Sequence, residues 1–172
     1  MNYHNITTDD MKNGVGLRVV LWVSGCTMKC EKCFNPQTWD KFSGIPFTDE
    51  TMDEILDKLD KPYIDGLTIS GGHPLEHYNI DTVIDIARKV KTKMPDKTIW
   101  IYTGYTYEYI ISSNNLKFFE LLKYTDVLVD GRFAYQLLDV NLPYRGSTNQ
   151  RLIDVQASLK RGEIISYDCK ET

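Results

Sequence analysis

The chain has 172 residues, 42% hydrophobic and 26% charged, with a net charge of -4, proportions that suit one globular domain with a substantial core. A mean hydropathy of -0.35 argues against an integral membrane class, and the longest early apolar stretch, Val19–Val23, is too short for a membrane span and lies too far in, with no basic leader, for a signal peptide. No dense Lys/Arg run appears, which excludes the electrostatic footprint of a nucleic-acid binder; the expected compartment is the cytoplasm, where thiols stay reduced.

In chain order, Leu17 to Val23 is a β-branched apolar run entered from Gly14 and Gly16 and left through Ser24-Gly25, which predicts a buried strand feeding a loop. The spacing of Met52, Ile55, Leu56 and Leu59 predicts a helix capped by Thr48 and ending near Pro62. Gly66 to Ser70 reads as a second strand stopping at Gly71-Gly72, followed by a helix with Ile80, Val83, Ile84, Ala87 and Val90 on one face. Thr98 to Tyr102 is a third strand, stopping at Gly104; a helical stretch from Glu108 breaks near Ser112 to Asn115 and resumes through Phe118, Phe119, Leu121 and Leu122. Asp126 to Val129 is a fourth strand ending at Asp130-Gly131, and about 156–172 is weakly patterned and expected to be a poorly ordered tail.

Strands alternating with amphipathic helices predict an α/β fold, because parallel strands need long crossovers. Four or five such units are too few to close an eight-stranded barrel, so the expected architecture is an open, partial (β/α) barrel with mostly parallel strands in a single domain. Each glycine-marked break follows a strand's C-terminal end, where parallel α/β folds place their ligands.

Of the four cysteines, Cys26, Cys30 and Cys33 form a C-x3-C-x2-C loop after the first strand, and Cys169 stands far away. Thiolates are soft ligands favoured by iron–sulfur clusters and by zinc. Three of them on a [4Fe–4S] cube would leave one iron open to a small molecule. The competing readings are a zinc site completed by His73, His77 or Cys169, or plain buried cysteines; a structural zinc site normally has two close ligand pairs, and no second C-x2-C or H-x3-5-H pair exists. No paired carboxylate or nucleophile accompanies His4, His73 and His77. The tyrosines at 102, 105, 107 and 109 lack the interleaved basic residues of a nucleic-acid stacking platform.

Beyond the cysteine loop, the ordered segments Asn13-Gly14-Val15-Gly16-Leu17-Arg18, Cys33-Phe34-Asn35, Ser70-Gly71-Gly72-His73-Pro74-Leu75, Trp100 to Tyr105, Val127 to Arg132 and Arg145 to Arg151 resemble the radical S-adenosylmethionine enzymes. Within them the chain resembles the activating proteins of anaerobic ribonucleoside-triphosphate reductases, over about residues 1–155. It departs where that family usually has Pro (Val15), an acidic residue (His73), and Gly or an aromatic (Lys32).

The resemblance implies one [4Fe–4S] cluster on Cys26, Cys30 and Cys33, with the amino and carboxylate groups of S-adenosylmethionine on the open iron. One-electron cleavage then yields a 5′-deoxyadenosyl radical that abstracts hydrogen from a glycine of the large reductase subunit. It implies contacts to S-adenosylmethionine from Lys32, Phe34, Asn35, Gly71, Gly72, His73, Thr103, Asp130 and Arg132, and a one-electron donor such as reduced flavodoxin. The alternatives within this chemistry are another glycyl-radical partner or a modified purine precursor. Arg145 to Arg151 is rich in donors and its role is open.

Overall fold

The computed structural model describes residues 1–169. Its strands are β1 (Asn2–Asp10), β2 (Arg18–Val23), β3 (Ile45–Pro46), β4 (Gly66–Gly71), β5 (Thr98–Tyr102), β6 (Val127–Asp130) and β7 (Arg151–Asp154). Its helices are α1 (Asp49–Leu59), α2 (Ile80–Lys93), α3 (Tyr107–Ser112), α4 (Leu116–Leu122) and α5 (Val155–Arg161). All seven strands belong to one sheet in the order β3-β1-β2-β4-β5-β6-β7.

The four predicted strands form the parallel centre, β2, β4, β5 and β6. The flanks differ from the expectation: β1 runs antiparallel to β2 and carries the short β3 on its other side, and β7 closes the far edge antiparallel to β6. The sequence NYHNITTDD of β1 alternates weakly and is mostly polar, as an edge-side strand with little apolar burial can be.

Side-chain alternation splits the sheet into two faces. Val19, Leu21, Val23, Leu67, Ile69, Ile99, Ile101, Leu128 and Ile153 share one buried cluster with apolar residues of all five helices, among them Ile55, Ile86, Ile110, Leu121 and Val155. The opposite face carries Trp100, Val127, Val129 and Leu152, covered by Tyr144, Tyr167 and Cys169. Helices therefore pack on one face only, and chain segments cover the other. Arg18 lies on that second side, fully buried beside Trp100. Its guanidinium donates to Thr68 Oγ1, the Val15, Leu67 and Thr98 carbonyls, and Thr98 Oγ1, so a buried cation is fully hydrogen-bonded without a carboxylate.

Helix starts follow their sequence signals. Thr48 caps α1 reciprocally with Thr51, Thr106 caps α3, Asn115 caps α4 and Asp154 caps α5. The expected break between α3 and α4 is real, with Asn114 in the left-handed region at φ 53°.

The expected poorly ordered tail is a correction over most of its length. Residues 155–161 are helix α5, and the chain then returns along β7, with Tyr167 N–H donating to the Leu152 carbonyl (2.8 Å) and its ring 5.3 Å from Trp100. Sequence patterning missed this because the segment is held by contacts to a distant strand and not by its own periodicity. Residues 170–172 of that expectation lie outside the described residues. No helix among the described residues is long and apolar enough to cross a membrane.

Candidate metal and ligand site

Four loops meet beyond the C-terminal ends of β2, β4, β5 and β6, as parallel sheets require of a ligand site. The first, after β2, holds Cys26, Cys30 and Cys33, all partly exposed. It opens at Gly25, φ 90°, where a Cβ would lie 2.4 Å from the Tyr78 ring. Gly25 and Cys26 N–H donate to the Thr38 and Trp39 carbonyls (2.6 and 3.0 Å) and pin the loop to the short helical turn Pro36–Thr38.

Lys29 (φ 44°) and Lys32 (φ 54°) sit in the left-handed region, which curls the segment; a glycine at Lys32 would adopt that angle without strain. Cys33 N–H donates to the Cys30 carbonyl (3.2 Å), and Asn35 N–H points at Cys33 Sγ (3.4 Å). Burial pushes the Cys26 thiol up, against backbone hydrogen bonds at Met28 and Lys29, so a soft cation would have to displace its proton.

Three thiols on one curled loop, with a backbone N–H already directed at a sulfur, fit an iron–sulfur cluster in donor chemistry. Among the described residues, no three Cys, His, Asp or Glu side chains close around a single ion. Cys169 packs with the Trp100 cluster.

The second loop ends β4. Gly71 has φ 97°, and a Cβ on Gly72 would lie 2.6 Å from the Gly25 carbonyl oxygen and 3.0 Å from that of Val23. Gly72 N–H donates to the Val23 carbonyl (2.7 Å) and His73 N–H to that of Gly25 (2.8 Å). The glycine turn is thus pressed, backbone on backbone, against the start of the cysteine loop, which only glycine permits.

His73 is 2% exposed. Its Nε2 is 2.8 Å from Thr103 Oγ1, its Nδ1 is 3.4 Å from Glu76 Oε1, and its ring meets Tyr105 edge-on. Glu76, also buried, accepts from Thr27 N–H (2.8 Å) and Thr27 Oγ1–H (2.5 Å). Burial alone would raise its pKa, but hydrogen bonds from His73 and Thr27 outweigh that and hold it down to about 2. Asn79 Nδ2 donates to the Ser24 and His73 carbonyls (2.8 and 3.1 Å). Glu76 and Asn79 were not foreseen. Their signal was two polar residues three and six places after His73, immediately before the apolar face of α2.

The third loop follows β5. Thr103, buried, donates its N–H to the Val129 carbonyl (2.9 Å), and Gly104 lies against Met28 of the cysteine loop, whose Cε and Cγ would be 3.0 Å from a Cβ there. The fourth, after β6, carries Asp130 and Arg132, whose side chains take different partners. Asp130 is fully buried, accepting from Tyr107 N–H (2.8 Å) and Arg151 Nε (3.0 Å) and paired with Arg151 Nη2. Arg151 also forks onto Glu108 (2.9 and 2.7 Å). Arg132 turns to solvent and donates to the Met28 carbonyl (2.7 Å). The acid therefore belongs to an internal ion-pair network and the base to the cysteine loop.

Residues 131–150 form an excursion between β6 and β7. Gln150 Oε1 accepts from Gly146 and Ser147 N–H, and its Nε2 donates to the Gly131 carbonyl, which assigns part of the open 145–151 segment a structural role. The excursion touches the cysteine loop through Gln136 to Glu31 (3.0 Å), Tyr135 beneath the Lys32 ammonium (5.8 Å) and Phe133 against Phe34 (5.1 Å). Phe34 is 67% exposed, so it is not a core residue; it directly precedes Asn35, whose carbonyl accepts from Thr38 Oγ1–H.

The chain matches a family model described as a 4Fe-4S single cluster domain over residues 12–153. It is 44% identical over 152 residues to the anaerobic ribonucleoside-triphosphate reductase-activating protein of Enterobacteria phage T4, covering 88% of this chain and 93% of that protein. It is 43% identical to the protein so named in Vibrio cholerae serotype O1 (87% and 96% covered), and 38% identical to the one in Escherichia coli strain K12 (87% and 96% covered).

Proposed function

The chain belongs to the family of anaerobic ribonucleoside-triphosphate reductase-activating proteins, with a 4Fe-4S single cluster domain, and on that premise we propose that it installs the glycyl radical of such a reductase. The observation that carries this reading is the seating of the Cys26, Cys30 and Cys33 loop directly on the Gly71-Gly72 turn. Three thiolates from one side leave the other side of a cluster free, and a glycine turn brings unhindered backbone polar groups to that vicinity.

Cys26, Cys30 and Cys33 would hold a [4Fe–4S] cluster, and such a cluster, when bound and reduced, would supply the one electron that cleaves S-adenosylmethionine to methionine and a 5′-deoxyadenosyl radical, the abstractor of a hydrogen atom from a glycine of the large reductase subunit. The chain's own residues hold and orient. Gly71 and Gly72 offer backbone groups to the amino acid end, and the exposed Phe34 ring offers an apolar face to adenine, with Asn35 beside it. Thr103 and His73 line the turn between them. Arg132 and Lys32 place positive charge at the rim for a carboxylate, and Asp130 acts indirectly, by fixing Arg151 and the start of α3.

We read the sheet as an open partial barrel whose loop end faces the protein substrate, in the cytoplasm, with a one-electron donor such as reduced flavodoxin. Anaerobically reconstituted protein is expected to be brown with about four irons per chain. With reductant, S-adenosylmethionine and the large reductase subunit, electron paramagnetic resonance should show a glycyl doublet. A colourless protein holding one zinc would overturn the cluster; 5′-deoxyadenosine without the doublet would overturn the partner.

A further inference from the structure

We propose that Glu76 is the positioning residue of this centre: its buried carboxylate ties the cysteine loop, through Thr27, to the glycine turn, through His73. The proposal rests on the cluster reading above and adds a residue that it does not use.

One Glu76 oxygen, Oε1, takes both Thr27 donors and faces His73 Nδ1, and Thr27 directly follows the first cysteine. A carboxylate fixed by two donors from one residue cannot move without dragging that residue, so the backbone at Thr27 is set by Glu76 and not by the loop alone. His73, in turn, is held on its far side by Thr103 Oγ1, which accepts from Tyr105 N–H (3.1 Å). Thr103 Oγ1 accepts from Tyr105 N–H and keeps its own hydrogen to donate; in the tautomer where that hydrogen goes to His73 Nε2, Nδ1–H points to Glu76. Every donor in the chain Thr103, His73, Glu76, Thr27 is then matched to an acceptor with one negative charge at its end.

Glu76 is 5% exposed and, among the described residues, no Lys or Arg pairs with it, so its charge is met by the Thr27 hydrogen bonds and by His73, among the loops that would surround the cofactors. A buried carboxylate without a Lys or Arg partner is costly to keep for packing alone. In a centre that receives an ammonium group and an iron cluster, it sets both the geometry and the local field.

The test uses Glu76→Gln and Thr27→Val in the full chain, reconstituted with iron and sulfide, beside wild type. Gln keeps an oxygen for Thr27 and removes the charge; Val removes one donor and leaves the charge. Three quantities are read: S-adenosylmethionine affinity by equilibrium dialysis, cluster midpoint potential by anaerobic titration, and thermal midpoint of the metal-free protein.

Glu76→Gln is expected to weaken S-adenosylmethionine about tenfold or more, the worth of a hydrogen bond to a charged group. It should also move the potential to a more positive value, because a negative charge near the cluster has gone. Thr27→Val should weaken affinity by a smaller factor with little change in potential. If both folded variants keep wild-type affinity and potential and only melt lower, Glu76 is a structural residue and the proposal fails. If Glu76→Gln does not fold, the affinity of Thr27→Val decides, and a wild-type value refutes the proposal. Should wild type itself take up no iron, the cluster reading falls, and this proposal with it; normal wild-type loading with unaffected variants refutes Glu76 alone.

Discussion

Replacing Gly72 by alanine tests the backbone contact on which the site is built. The added Cβ would stand 2.6 Å from the Gly25 carbonyl oxygen and 3.0 Å from that of Val23, and both neighbours are backbone, so neither can rotate away. The two strand ends must separate, which breaks the hydrogen bonds from Gly72 N–H to Val23 (2.7 Å) and from His73 N–H to Gly25 (2.8 Å). Each is worth about 0.5–1.5 kcal/mol net, and forcing a methyl group into a packed position costs about 1–3 kcal/mol. Since separation relieves part of the clash, we expect a loss of about 3 kcal/mol, a fall in melting temperature of roughly 6–12 °C for a chain of this size.

Gly162→Ala is the matched comparison. That glycine ends α5 at φ 73° with nothing within 4 Å of a Cβ, so its cost is conformational alone, about 1–2 kcal/mol. Urea denaturation of the metal-free proteins, with S-adenosylmethionine binding of the reconstituted ones, separates the two: Gly72→Ala should lose both stability and binding, Gly162→Ala a little stability only. A Gly72→Ala variant that is as stable as Gly162→Ala and binds normally would refute the account of the two loops as one rigid contact.

Arg151→Met should destabilise the protein by about 2–3 kcal/mol, less than the full value for a broken buried pair because water reaches the arginine; it leaves Asp130, fully buried, with the Tyr107 N–H as remaining partner, and urea midpoints report the change. Glu76 and Glu108 are both held below the ordinary 4.5, down to about 2, the first by hydrogen bonds from His73 and Thr27 against burial, the second by Arg151. Depressed carboxylates contribute stability that is present above the ordinary value and lost as pH falls toward the folded one. The metal-free protein should therefore hold its urea midpoint from neutral pH to about 5 and lose it progressively between about 4.5 and about 2, less steeply in Glu76→Gln. Cys30→Ala should cut bound iron well below the about four per chain of wild type, while Cys169→Ala leaves it unchanged; iron and sulfide assays decide, and loss of iron in Cys169→Ala would bring in a fourth ligand.

Much of this protein was legible in one dimension. The parallel centre of the sheet, helices α1 to α4 and the cap at Thr48 follow from apolar period and from a hydroxyl group ahead of a helix, signals that lie within a few residues of one another. The C-x3-C-x2-C spacing of the cysteine loop was equally legible, because three cysteines within eight residues need no fold to be seen as one motif. What needed the tertiary structure were relations between residues far apart in sequence. Strands β1 and β7 are defined by the neighbours they pair with, and the tail around Tyr167 is ordered by Trp100, sixty-seven residues away. Asp130 and Arg132, adjacent in pattern, were sent to different partners, Arg151 and the Met28 carbonyl. Glu76 became visible only when the turn after β4 was folded against Thr27. Local propensity is written residue by residue, but a hydrogen-bond partner is chosen by which donors the closed fold brings within three ångströms, and that choice is what seats the Gly71-Gly72 turn on the start of the cysteine loop.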